Sequence, residues 1–268
     1  MCFLRCAYMY KLILFALILS CFACADSTPK PIKVTAVTGN SEQKTEILPP
    51  SNTIDSTKLG INFTPKGSYT SIKQTIAADR SYFATQLQQN KQKAIDSAAA
   101  YVYDKLLNEI VPHWYGTPWD FNGHTNTPND GEIACGYFVS TTLKHMGFRL
   151  NRYKMAQQAG LNEALTLQAK NDLKIYRNIS QEQLKKNINE VYKDGIYFVG
   201  LSNHVGYVLI KHSELYFLHA SYCDDKVVIE KAATSPCFQS DIYVFAEIST
   251  NKNLLQKWIQ QTTIPVQQ

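Results

Sequence analysis

Cys135, His204 and His219 are the residues of this sequence whose types and placing suit covalent chemistry. A thiol attacks a carbonyl as its thiolate, and an adjacent imidazole can take the proton and later hand it to a leaving amine. Cys135 follows a stretch rich in Gly, Asn and Asp and precedes an apolar helical pattern (Phe138, Val139, Leu143, Met146) that stops at Gly147. The thiol therefore belongs to the first turn of a helix, where the backbone dipole favours negative charge. Gly131 and Gly136 leave backbone room for a substrate carbonyl to approach. A buried cysteine can also be no more than a small hydrophobe, and the loop–helix junction is what favours chemistry here.

The histidines sit on β-type runs. His204 opens residues 204–210, and His219 lies in residues 215–220, with Lys211-His212-Ser213-Glu214 between them. A two- or four-residue loop there pairs Lys211 with Glu214, Ile210 with Leu215, and hence Gly206 with His219. His204 then shares a face with Gly206 and becomes the diagonal neighbour of His219, about 7–8 Å away at Cα. Gly206 has no side chain to fill the space His219 leans into. In this arrangement His204 is the base for Cys135, and His219 holds one ring nitrogen of His204 and fixes which nitrogen faces the sulfur. The remaining histidines, His113, His124, His145 and His212, fall in loops, on a helix face or at a turn, and are expected to be surface or structural groups.

Those residues need elements to position them, and the chain of 268 residues is long enough for one sizeable core with an appended arm. Helical periodicity runs from Ser68 to Ile110, and Pro112 marks its end. Residues 114–130 form a loop that includes Trp114, Trp119 and Phe121; Trp119 and Phe121 are candidates for a substrate wall, with packing at the edge of the core as the equal alternative. Residues 153–190 suggest two further helices, with Ser180-Gln181-Glu182-Gln183 fitting a capping box. The last third changes period to short β-rich runs at 196–201, 205–211, 215–221, 227–231 and 242–248. Helices followed by an antiparallel meander make an α+β domain.

The N-terminus carries a topogenic signal. Arg5 and Lys11 precede an apolar stretch at 12–19, too short to span a bilayer and suited to a secretory leader. Ala23-Cys24-Ala25 fits ordinary cleavage, while Ile18-Leu19-Ser20-Cys21 resembles a lipobox with Cys21 as the lipidated residue. The expected organisation is a signal peptide at 1–25, a flexible tether at 26–66, a helical extension at 67–111 and a catalytic domain at 112–262. The product is expected to be exported to the cell envelope, touching membrane only through a lipid anchor. The formal net charge of +5 includes Arg5 and Lys11 of the leader, and no Lys/Arg run exists that would suggest nucleic-acid binding. Of seven cysteines, Cys135, Cys223 and Cys237 remain beyond the leader. If Cys223 and Cys237 pair, Cys135 is left free in an oxidising compartment.

The motifs around these residues resemble the NlpC/P60 family of bacterial cell-wall cysteine peptidases. His204-Val205-Gly206, then Phe217-Leu218-His219-Ala220-Ser221 and Val227-Val228-Ile229, are similar to that family's "HVGIY … fIHAs … gVvI" signature. Ala134-Cys135-Gly136-Tyr137-Phe138-Val139 is similar to its "DCSGfV" nucleophile motif, Lys193-Asp194-Gly195-Ile196-Tyr197-Phe198 to its "pGDlvff" strand entry, and Trp114-Tyr115-Gly116 to its "Y-x-W-G-G" element. The resemblance covers residues 111–248. It implies a papain-like α+β core, a peptidoglycan peptide as substrate and Tyr115 at the oxyanion site; Gly136 and Trp119 are expected as further substrate-binding residues, and the chemistry requires no cofactor or metal. Ala134 stands where the family has Asp, and Gly136-Tyr137 where it has Ser-Gly, which bears on the bond cleaved more than on the thiol.

The sequence thus predicts a cysteine amidase or endopeptidase acting through a thioester. An acyltransferase or deamidase could use the same Cys/His/His set, and a non-catalytic wall-binding lipoprotein could keep the fold. A zinc site from Cys135, His204, His219 and Cys223 has the right ligand types but lacks a C-x-x-C or H-x-x-x-H pair among them.

Overall fold

The computed structural model describes Ile54, Leu59 and residues 61–268. The leader, the Cys21 lipidation site and most of the tether lie outside the described residues. Strong helix formers and buried positions three or four apart make α1 (Tyr69–Gln89) and α2 (Lys91–Lys105), which bury Ile72, Ile76 and Phe83, and Ala94, Ile95, Ala98 and Val102. Asn90 separates them and caps α2, its side chain accepting from the Lys93 N–H at 3.0 Å.

Pro112 does not end the helical run. A π-helical turn, Leu106–Ile110, widens the spiral so that Val111 N–H reaches back to Leu106, and α3 (Val111–Trp114) follows with Pro112 in its first turn. The run continues through Pro112 with one N–H missing from the ladder just after the widened turn. Phe83 and Tyr101 pack against Trp258, so these helices share one core with the rest of the chain. Leu59 and Ile61 are buried in that core, and Phe63 stacks on Tyr115, so the last part of the segment expected as tether is packed. At the other end, Ile264 is buried as well, beyond the expected boundary at 262.

The nucleophile segment forms α4 (Cys135–His145), followed by α5 (Arg152–Ala156) and α6 (Gly160–Leu167). The two helices expected across 153–190 are interrupted by a strand, β1 (Lys174–Arg177), before α7 (Gln181–Val191). β1 is short and mostly exposed at the sheet edge, so no apolar alternation marks it. Ser180 caps α7 by accepting from Gln183 N–H at 3.2 Å.

Then come β2 (Gly195–Gly200), β3 (Val205–Lys211), β4 (Glu214–Ser221), β5 (Lys226–Lys231), β6 (Ile242–Glu247) and α8 (Lys252–Gln260). The six strands stand in the order β1-β6-β2-β3-β4-β5, all antiparallel. The meander holds from β2 to β5, and β6 departs from it by crossing back to pair with β2 and β1. The architecture is α+β, helices on an antiparallel sheet.

The two sheet faces are covered differently. Val205, Tyr207, Leu218 and Ala220 face the main core with Phe138 and Val139 of α4. Val208, Ile210, Leu215 and Phe217 face a second cluster under Leu184 and Ile188 of α7 and Phe238. No helix among the described residues is long and apolar enough to cross a membrane.

Candidate active site

The β3–β4 register is the one the sequence implies: Lys211 pairs with Glu214, Ile210 with Leu215 and Tyr207 with Leu218. His212 and Ser213 both take positive φ, as a tight two-residue hairpin turn requires. Gly206 is needed because a Cβ there would lie 2.6 Å from the Phe217 ring and 2.9 Å from His219 Cβ.

His204 Nε2 lies 2.7 Å from His219 Nδ1. Behind it, His219 Nε2 lies 3.0 Å from Glu230 Oε1, which also accepts from the Ser235 hydroxyl at 2.5 Å. His204, His219, Glu230 and Ser235 are all buried.

This chain fixes the tautomers. A carboxylate only accepts, so His219 carries its proton on Nε2 and presents a bare Nδ1. His204 must then donate from Nε2, which leaves its Nδ1 unprotonated. That Nδ1 is buried and has no hydrogen-bond partner. Burial, followed by the neighbouring His219, lowers the His204 pKa to about 3, so the ring is neutral at physiological pH. Burial lowers His219 as well, against the opposing pull of Glu230.

Cys135 and His204 line one cleft of about 370 Å³, together with Gly136, Gly160, Glu163 and Val205. The backbone N–H groups of Val205, Gly136 and Cys135 itself point at the sulfur. Burial nevertheless dominates and pushes the thiol above its ordinary value, and the Glu163 carboxyl adds to the rise. The helix-terminus expectation of a resting thiolate is therefore reversed, because desolvation outweighs the dipole. No hydrogen bond joins the sulfur to His204, so the resting pair is a neutral thiol beside a neutral imidazole. Such a pair supports general-base attack, with the proton moving as the sulfur bonds to carbon.

No protein-family model matches the chain, and neither does any curated protein sequence. Among solved structures, an N-acetylmuramoyl-L-alanine amidase from Bacteroides uniformis ATCC 8492 is similar, with 14% identity and a TM-score of 0.30 over 56% of this chain and 98% of that one.

Not every expected site residue reaches the cleft. Tyr115 is half-exposed and stacks on Phe63 with ring centres 4.5 Å apart, outside the cleft lining. Trp119 packs at the core edge beside Tyr222, whose ring meets His204 edge-on at 5.0 Å. Gly136 lines the cleft, but the space beside it is taken: a Cβ would meet the Ala156 carbonyl at 2.7 Å and Glu163 Oε1 at 3.1 Å. His124 lines a neighbouring open pocket with Tyr153 and Arg152. His145, expected as a surface or structural group, is structural: it is buried and bonded to the Tyr69 hydroxyl at 2.9 Å. A larger cleft of about 570 Å³, lined by residues such as Lys174, Glu247 and Lys252, contains no thiol or imidazole.

Three polar groups were not foreseen. Glu230 and Ser235 complete the relay, and Glu163 buries a carboxyl whose Oε2 has no partner. Extending the hairpin register by one strand finds Glu230: His219 pairs with Val228, and Glu230 lies two residues on, on the same face. A lone acidic residue after Val227-Val228-Ile229 was the available signal.

Cys223 and Cys237 form a disulfide, and Cys135 is the free thiol among the described residues. The zinc set drawn from the sequence is therefore not assembled in this form, since Cys223 is no thiolate. Cys237 Sγ and nitrogens of His204 and His219 do lie within 4.8 Å of one another.

Proposed function

We propose that this protein is an exported cysteine hydrolase of the cell envelope that cleaves amide bonds of peptidoglycan stem peptides through a thioester acyl-enzyme. The reading is carried by one observation: the relay from Ser235 through Glu230 and His219 leaves Nδ1 of His204 without a partner, and His204 lines the cleft that holds the free thiol of Cys135. The substrate class is taken from the motifs around Cys135, His204 and His219.

As the sulfur attacks the amide carbonyl, His204 Nδ1 takes the thiol proton. The imidazolium that forms is held through His219 against the Glu230 carboxylate, which stabilises its charge without leaving its place. His204 returns the proton to the leaving amine as the tetrahedral adduct collapses to the thioester. Water, deprotonated by the same nitrogen, then releases the acid. The N–H groups of Gly136 and Val205 that face the sulfur are the proposed donors to the oxyanion.

The raised thiol of Cys135 also favours a second reading, a wall-peptide binding module that retains the fold. Digestion of purified muropeptides, with products identified by mass, separates the two. The hydrolase reading expects new amine and carboxylate termini with the wild type and a loss of ~10⁴-fold or more with Cys135→Ala. Undigested muropeptides that bind wild type and Cys135→Ala equally would favour the module.

A further inference from the structure

The geometry points to a zinc-class metal site, absent from the disulfide form and created when Cys223–Cys237 is reduced, with His204, His219, Cys237 and Cys223 as ligands. Structural zinc takes four Cys or His ligands in a tetrahedron, at about 2.3 Å to sulfur and about 2.0–2.1 Å to nitrogen. Cys237 Sγ and the two imidazoles already converge within 4.8 Å, and the Cα atoms of the two cysteines are 6.1 Å apart. The three converging ligands need only small shifts to meet one ion at those bond lengths, and reduction frees Cys223 to swing away from Cys237 as the fourth.

A second observation supports the site. His219 presents Nδ1 to it while its Nε2–H is held by Glu230, the carboxylate–histidine arrangement that orients zinc-bound imidazoles. His204, His219 and Cys237 are buried, and Cys223 lies on the exposed side of the site.

The chemistry balances with an external dithiol. The dithiol supplies two electrons and two protons, becomes a disulfide, and leaves Cys223 and Cys237 as thiols. Binding of the divalent cation then releases one proton from each thiol. His204 must coordinate through Nε2, so its proton moves through solvent to Nδ1, the nitrogen that hydrolysis needs bare. Metal binding and general-base catalysis are thus mutually exclusive at His204. The disulfide keeps the imidazole pair available, and its reduction exposes a trap for that pair.

Cobalt(II) is the probe. The full chain is prepared with Cys135→Ala and with serine at Cys2, Cys6, Cys21 and Cys24, so that Cys223 and Cys237 are its only cysteines. It is reduced anaerobically with a phosphine, which takes up the oxygen of water as the disulfide becomes two thiols. The expected result is one equivalent of cobalt with the visible bands of tetrahedral coordination and a thiolate charge-transfer band, none of which the oxidised chain develops. His219→Ala should weaken binding by more than the ~10–100-fold that outer-shell changes cost. Absence of the bands in the reduced folded chain, or bands indifferent to His219→Ala, overturns the proposal. If reduction unfolds the chain, recovery of its circular dichroism on adding zinc supports the site, and no recovery overturns it.

Discussion

The two faces of the sheet meet at the start of β3 and are built to different standards. On one face, His204, His219, Glu230 and Ser235 form an unbroken hydrogen-bonded line in which each proton has an assigned place. On the other, α4 brings Cys135 next to Val205 with its thiol pushed up and with the unpartnered Glu163 carboxyl nearby. One side is preorganised before substrate arrives. The other holds its thiol protonated. The contrast teaches that the relay fixes the orientation and tautomer of the base in advance, while burial leaves both the imidazole and the thiol neutral.

Changes on the relay face should therefore have the larger effects. Glu230→Gln keeps an oxygen that can accept from His219 but removes the negative charge that stabilises the His204 imidazolium. Activity should fall on the order of 10²–10⁴-fold, by analogy with a lost orienting carboxylate. An activity within a few-fold of wild type would break the comparison. Gly206→Ala forces a methyl against Phe217 and His219 and should cost ~1–3 kcal/mol in urea unfolding together with much of the activity.

The pH dependence sharpens the contrast further. His204 and His145 both have folded-state pKa values lowered to about 3 by burial. The unfolded chain binds these protons near the ordinary value of 6.5, so stability should be intact above that pH and fall as the pH drops toward 3. Urea midpoints at several pH values measure this, and a flat profile would contradict it. Glu163 has the opposite sign. Its carboxyl is raised well above 4.5 by burial, so it weakens the fold as pH rises past that value. Glu163→Gln should flatten that loss and stabilise the protein at alkaline pH by roughly 1 kcal/mol, the smallest effect of the series.

The relay face was also the more legible in the sequence. Period-two alternation and a short turn set the His204–His219 register without any knowledge of the rest of the fold. Glu230 needed only the next strand of the same argument. The nucleophile face depends on contacts from distant segments, α6 bringing Glu163 and α5 bringing the Ala156 carbonyl, and no local pattern encodes those. The same is true of β6, whose insertion between β1 and β2 is decided by tertiary pairing. The reversal at Cys135 has this origin too, since the helix terminus is visible in sequence and the burial that overrides it is not.

The most direct test of the account is to trap the acyl-enzyme. Protein mixed with muropeptides is quenched in acid within one turnover, digested, and the Cys135 peptide weighed by mass spectrometry. The account predicts a thioester adduct on Cys135 that hydroxylamine removes, that decays with product release, and that is missing from His204→Ala. Hydrolysis without any adduct on Cys135, or at full rate in Cys135→Ala, would contradict it.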